Sequence, residues 1–558
     1  MPTNTYAHTG RRPPWYARKM LKRGLPPAPY EIAYEPGLMV PAADGTPLPA
    51  DHWFPLADGD FPTLLLRTPY GRGFPWAAMY GARFAEQGFH VVLQSCRGSG
   101  GSAGDFARWR NEPADGQAAV AWLRGQPWFI GVLGTVGASY LGYTQWALAV
   151  DPPPELRAMV VQVAPHDPYR TAWPGGVFAL ETALVAGVGL AWQSRGTSAF
   201  LRATLRLTRR LRKVTRTLPL IDAYVPAVGE RTPVVEEPLT HPERDDPHWQ
   251  GTGLGGAIDR LTVPTNLLGG WHDLCLDQTI EQYVRLRRAG CDASLLIGPW
   301  THTSAFDQGW PHVYPESLAW LRAHLTGDRS GLRPTRVRVH VGGADEWRDL
   351  PDWPPPVGPG RHWYLHPDGR LDTGASTETA APLSFRYDPS DPTPSRGGQV
   401  LNRDGGSRDN SALEARADVL LFTTEPLTEP VEILGPVSAE LAVGTDTGYA
   451  DIFARLCDVD VRGRSRNVCD GLVRLPAGAT GPVAVTVAMS STAYRFAVGH
   501  RIRLQISGGA HPRFNRNTGS GEPAATATRL VPTRISVHFP SALVLPVATD
   551  LPPVGEAG

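Results

Sequence analysis

Strand-length apolar runs alternate with helix-patterned stretches over the first third of the chain. That rhythm constrains the fold more than any other feature. The runs are 63–68 (TLLLRT), 90–94 (HVVLQ), 132–136 and 159–163 (MVVQV). Between them lie the helical patterns 77–87, 116–124 and 140–150. Fully apolar runs separated by helices predict βαβ units and a mostly parallel sheet covered on both faces. The rhythm stops near residue 166, and residues 166–245 read as Arg-rich and helical. It resumes with the strands 265–270 and 293–298, with a helix over 277–288 between them. Residues 166–245 are therefore predicted to be an insertion between strands of one sheet, where a cap would sit. After about residue 330 the runs alternate apolar and polar residues between turns, as in 335–341, 431–434, 439–443, 452–456, 483–487 and 501–506. That pattern predicts a β-sandwich or jelly roll. The Gly and Pro content, 60 and 55, agrees with a turn-rich chain.

The expected architecture is thus an α/β-hydrolase core with an inserted helical cap and a C-terminal β-sandwich (jelly-roll) domain. The boundaries are an N-terminal arm over 1–35, a core over 36–165 and 246–329, a cap over 166–245, and a jelly roll over 330–558. The most apolar stretch, 175–192, contains Glu181 and several glycines and is too short to span a bilayer. It is expected to be a helix buried near a pocket.

Composition removes several function classes. Lys+Arg and Asp+Glu are both 54, so no basic footprint for a nucleic acid exists. Lys occurs only at Lys19, Lys22 and Lys213, a genome-composition effect. The five cysteines include no C-x-x-C, so neither a zinc ribbon nor a disulfide framework is signalled. A reducing, cytoplasmic location is the default. The first 24 residues lack the apolar core of a signal peptide.

The chemistry is carried by 137–142, GASYLG, which follows a strand and precedes a helix. A serine on such a turn presents its hydroxyl at the carboxyl end of the sheet, beside free helix N–H groups. The usual second glycine of G-x-S-x-G is Leu141 here, with Gly142 one place later. A serine nucleophile needs a base and an acid that orients it, in the order Ser, Asp or Glu, His. The strand 265–270 runs into Trp271-His272-Asp273, and the strand 293–298 into Pro299-Trp300-Thr301-His302. Ser139, Asp273 and His302 thus fall in that order at three strand ends. Taken singly, Asp273 is equally a helix cap and His302 an ordinary histidine; together they read as a triad. The Gly-rich loop 98–104 lacks G-K-[ST] and a following helix pattern, so it is not a phosphate cradle. It is expected to be held by Arg97 near the site.

These motifs resemble the cocaine esterase-like hydrolases, related to X-prolyl dipeptidyl aminopeptidases and α-amino acid ester hydrolases. The resemblance runs from about residue 36 onward. It rests on 67–70 (RTPY), 94–106, the G-x-S-Y-x-G elbow, 270–273 (GWHD), 298–302 (GPWTH), 241–246 (HPERDD), 453–460 and 512–517 (PRFNRN). The resemblance implies that Ser139 is the nucleophile, His302 the base and Asp273 its orienting acid. It also implies an oxyanion hole made of the Tyr70 phenol and the Tyr140 backbone N–H. Trp173, 34 residues beyond Ser139, is expected to wall the acyl pocket or else to pack in the cap core. Cys275 is expected to face the same pocket and leave it roomier, or else to be inert.

The expected function is a serine hydrolase that cleaves an ester or amide of a small to medium acyl group. Acyl transfer on the same scaffold is one alternative. An aminopeptidase is another; it needs carboxylates for a substrate amine, with Glu181, Glu236 and Glu237 as candidates. A lectin-like, non-catalytic module is a third, against which an intact triad argues. No metal or organic cofactor is implied. The expected partner is a small-molecule ester or amide, with no nucleic acid and no membrane. The sequence admits a homodimer without requiring one. Because His302 must be unprotonated to act, the pH optimum is expected above neutrality.

Overall fold

The computed structural model describes residue 11, residues 25–192, residue 195, and residues 197–356, 360–375 and 380–548. Most of the expected N-terminal arm lies outside the described residues.

The first sheet has ten strands: β1 (Ile32–Pro41), β2 (Pro47–Pro55), β3 (Thr63–Thr68), β4 (His90–Ser95), β5 (Leu133–Ala138), β6 (Leu156–Gln162), β7 (Thr265–His272), β8 (Ala293–Thr301), β9 (Val337–Val341) and β10 (Glu346–Leu350). Their order is β1-β2-β4-β3-β5-β6-β7-β8-β9-β10. The seven strands from β3 to β9 are mutually parallel. β3, β4 and β5 are buried at every position, as the continuous apolar runs require. The principal helices are α1 (Glu112–Arg124), α2 (Tyr140–Leu148), α3 (Leu180–Trp192), α4 (Thr197–Val214), α5 (Pro233–Thr240), α6 (Leu276–Arg288) and α7 (Trp310–Leu325). One face of the sheet is covered by α1, α2 and α6, through Val120, Trp146 and Tyr283. The other is covered by the helical segment 77–85 and α7, through Phe84, Tyr314 and Leu321.

Helices α3 to α5 lie between β6 and β7 and form their own cluster around Trp173, Phe178, Leu184 and Tyr224. They are the inserted cap. Glycine marks where this cap meets the sandwich. Gly175 has φ 60°, and a Cβ there would stand 2.0 Å from the Leu472 carbonyl oxygen.

The sandwich comprises β11 (Arg361–Leu365), β12 (Leu371–Asp372), β13 (Leu383–Tyr387), β14 (Val419–Thr423), β15 (Val431–Thr445), β16 (Asp451–Val459), β17 (Ser465–Arg474), β18 (Val483–Phe496), β19 (Arg501–Ser507) and β20 (Thr533–Leu545). They form two antiparallel sheets, β12-β11-β20-β15-β18 with β13 on β20, and β14-β19-β16-β17. Val437 and Leu441 of one sheet share a core with Leu456 and Leu504 of the other.

One boundary differs from the sequence reading. The run 335–341 was assigned with the sandwich, but β9 pairs in parallel with β8, and β10 closes the edge of the first sheet. The Val-Arg-Val-His-Val run of β9 has the two-residue alternation of a sandwich strand, yet β9 lies inside the first sheet between β8 and β10 and is buried except at Arg338. Arg338 pairs there with Asp349 of β10.

Candidate active site

The elbow is built by close approach. A Cβ on Gly137 would lie 2.6 Å from that of Leu141, and one on Gly142 would lie 2.2 Å from that of Ala164. Helix α2 is thereby drawn onto the end of β6, which explains a glycine at 142 and a leucine at 141. Ser139 takes φ 56°, ψ −120°, a conformation that only surrounding structure sustains in a residue with a side chain. Its carbonyl accepts from the N–H groups of Gly142 and Tyr143, so the hydroxyl stands at the helix start.

β7 and β8 are neighbours, and they carry the acid and the base side by side. His302 Nδ1 lies 2.7 Å from Asp273 Oδ1. Asp273 is fully buried and His302 nearly so. The Asp273 Oδ2 atom is buried and has no hydrogen-bond partner. Glycine again makes the room: a Cβ on Gly270 would lie 2.3 Å from the Trp300 carbonyl oxygen.

The Tyr70 hydroxyl lies 3.4 Å from Ser139 Oγ, and the Tyr140 N–H faces the same phenol oxygen. Burial raises the Tyr70 phenol above its ordinary range, so it stays a proton donor. Tyr140 itself is locked away from the site. Its hydroxyl donates to Glu112 Oε1 at 2.9 Å and accepts from the Trp109 N–H at 3.0 Å. Glu112 is bridged in turn to the buried Arg67. Sequence reasoning missed this Tyr140–Glu112–Arg67 support. Its signal was Arg67 at the end of an apolar strand, where a buried guanidinium requires an acid.

A cleft of about 290 Å³ lies where cap, core and sandwich meet. Trp173, Leu274, Asp277, Ser490 and Phe514 are among its walls. Trp173 lines this cleft, and it packs on Phe178 in the cap core with Nε1 bonded to the Pro238 carbonyl. Helix α3 borders the cleft through Thr182, as the apolar stretch suggested. Cys275 is not among the residues lining this cleft. Its sulfur is buried beside Asp273 and His302, and the three donor atoms lie within 4.8 Å of one another. Burial and the Asp273 charge push the Cys275 thiol well up. Of the suggested amine-binding acids, Glu236 is taken up by Tyr224 and Arg231, and neither Glu181 nor Glu237 lines the cleft. Asp277 does line it, hydrogen-bonded by Ser490 and raised above the usual carboxylate range by its surroundings. Arg97, just before the Gly-rich loop, bridges Asp44 and Asp115, while the loop itself accepts a hydrogen bond at the Gly100 carbonyl from Arg72, at 3.0 Å.

Residues 44–304 match the X-Pro dipeptidyl-peptidase (S15 family) model, and residues 330–542 match the X-Pro dipeptidyl-peptidase C-terminal non-catalytic domain. The chain is 33% identical to cocaine esterase of Rhodococcus sp. (strain MB1 Bresler), over 91% of this chain and 98% of that one. A solved α-amino acid ester hydrolase superposes with a TM-score of 0.78 at 22% identity, covering 95% of this chain and 99% of that one. An aminopeptidase from a marine sediment archaeon, Thaumarchaeota archaeon, does so with a TM-score of 0.76 at 21% identity, with the same coverage. Among the described residues, no helix is long and apolar enough to cross a membrane.

Proposed function

Since the chain belongs to the cocaine esterase-like family of serine hydrolases, we propose that it cleaves carboxylic esters of small to medium acyl groups through an acyl-enzyme on Ser139. The reading rests on Ser139 at its strained turn with the Tyr70 phenol 3.4 Å away, and on the His302–Asp273 pair at 2.7 Å, at the carboxyl ends of parallel strands of one sheet.

His302 takes the Ser139 proton as Oγ attacks the ester carbonyl carbon. The carbonyl oxygen becomes an oxyanion, held by the Tyr70 hydroxyl and the Tyr140 N–H, two donors without formal charge. His302 then gives the proton to the departing alkoxide. Water repeats the sequence on the acyl-enzyme, and the acid leaves. Asp273 fixes the imidazole tautomer and offsets the transient imidazolium. Trp173 walls the acyl pocket. The core over 36–165 and 246–329, extended by β9 and β10, carries the chemistry, the cap over 166–245 roofs it, and the sandwich closes it. The five unpaired cysteines support a reducing, cytoplasmic setting. The partner is a small-molecule ester. Zero net charge speaks against a nucleic acid, and the reading leaves room for a homodimer.

Hydrolysis of a panel of p-nitrophenyl esters of graded acyl size, by wild type and Ser139→Ala, tests this. Turnover that disappears in the variant is expected; turnover that survives it removes Ser139 from the mechanism. A second reading, release of N-terminal dipeptides, is favoured by one feature. Asp277 offers the cleft a carboxylate with no ion-pair partner among the described residues. Dipeptidyl p-nitroanilides with free and acetylated amines, run beside the esters, separate the two readings.

A further inference from the structure

We propose that Asp273, Cys275 and His302 form a binding site for a soft divalent cation of the zinc class, and that its occupancy switches hydrolysis off. The three residues are buried, and one donor atom of each lies within 4.8 Å of the others. A carboxylate oxygen, a thiolate sulfur and an imidazole nitrogen suit a tetrahedral zinc-like ion, with one position left for water. Magnesium and calcium ask for six or more oxygens and are disfavoured by the sulfur and nitrogen.

A second observation comes from Asp273 alone. Its Oδ1 is taken by His302, but Oδ2 is buried with no hydrogen-bond partner. Buried carboxylate oxygens are ordinarily satisfied, and a coordinated cation would satisfy this one. The charges also close. A divalent cation meets one carboxylate and one thiolate, so the filled site is neutral and tolerable where it is buried.

The protons balance as well. Without metal Cys275 is a free, buried thiol and inert. A bound cation ionises the thiol outright and releases one proton to solvent. Coordination of the cation at His302 Nδ1 breaks the hydrogen bond between that nitrogen and Asp273 Oδ1, the cation taking its place between the two, and sends the imidazole's single proton to Nε2. His302 then has no free nitrogen to accept the Ser139 proton, and hydrolysis stops. The site stands on three side chains; the switching rests on the catalytic reading above.

The experiment has a binding arm and an activity arm. Ser139→Ala protein is titrated with cobalt(II). A sulfur-to-cobalt charge-transfer band and release of one proton per cobalt are expected. Both should be lost in Ser139→Ala/Cys275→Ala. In the arm with Ser139 present, zinc should inhibit p-nitrophenyl ester hydrolysis and EDTA restore it. Cys275→Ala and Cys275→Ser should raise the half-inhibiting zinc concentration by more than about 100-fold, since losing a ligand costs more than the 10–100-fold of losing an outer-shell partner. Absence of the charge-transfer band would overturn the site. So would a half-inhibiting concentration that neither substitution changes. Cobalt bound through sulfur in a protein with no ester turnover would keep the site and remove the catalytic reading instead.

Discussion

The Cα of Gly142 faces Ala164 so closely that a Cβ on Gly142 would stand 2.2 Å from the Ala164 methyl. Helix α2 therefore meets the chain leaving β6 with its Gly142 backbone against the Ala164 methyl, close to the turn that holds Ser139. Gly142→Ala should cost about 1–3 kcal/mol and displace Ser139, lowering kcat more than it lowers the melting temperature. Ala164→Gly in the same chain should recover part of both. Equal stability and activity in Gly142→Ala would show that the contact relaxes without consequence. A double-mutant cycle read by urea unfolding and ester turnover decides it.

Tyr70→Phe removes one hydrogen bond and little volume. If the phenol stabilises an oxyanion, kcat should fall about 10²–10³-fold with KM nearly unchanged, since the bond forms only as charge develops. Burial raises the phenol's pKa, so ionisation shifts to higher pH than for a free tyrosine. The donor is therefore present at all lower pH, and wild-type kcat should show no alkaline fall up to about pH 10. A loss confined to KM in the variant, or an alkaline limb near pH 8 in wild type, would assign Tyr70 to substrate packing.

Much of this was legible in the sequence because burial leaves periodic marks. The strands leading to Ser139, Asp273 and His302 are mostly apolar and almost wholly buried, and their order matches the triad. The run 335–341 joins the first sheet and not the sandwich because alternation of residue type does not report burial: β9 alternates as β15 does, yet it lies between β8 and β10 and is buried except at Arg338. The place of Cys275 was not legible either. Sequence sets it two residues beyond Asp273, but the turn before α6 directs its sulfur toward the acid and base. The support of Tyr140 by Glu112 spans 28 residues with no local pattern between them.

The sandwich carries an ionic knot that the sequence did not announce. Asp470 in β17 is buried between two guanidiniums, Arg455 at 2.9 Å and Arg513 at 2.6 Å. Asp470→Asn leaves both cations without their carboxylate and should destabilise the protein by about 3–5 kcal/mol. Because Asp470 and Arg513 also line the cleft, ester selectivity should change along with stability. Unfolding midpoints and the acyl-size profile of the variant test the two parts. A variant as stable as wild type would mean that water reaches the pair.

His52 in β2 and His90 at the head of β4 are buried and hydrogen-bonded ring to ring, Nε2 to Nδ1 at 2.9 Å. Trp128 stacks on His52 with ring centroids 3.9 Å apart. Two such rings cannot both carry charge there. Burial lowers His90 to about 4, and burial with the neighbouring His90 lowers His52 well below the ordinary imidazole range. In the unfolded chain both titrate near 6.5, so between about pH 6.5 and 4 the unfolded state binds more protons. The pair's contribution is therefore whole above about pH 6.5 and declines as pH falls toward 4, the His90 part alone by about 3 kcal/mol, with His52 adding to it. His272 and His511, each lowered to about 4 mainly by burial, add to the same slope. His52→Phe/His90→Phe removes only the first contribution. Its loss of stability between pH 7 and pH 4 should be smaller than that of wild type by at least about 3 kcal/mol, the His90 part. Parallel stability–pH curves for the two proteins would mean that the pair is already protonated, or hydrated, in the folded state.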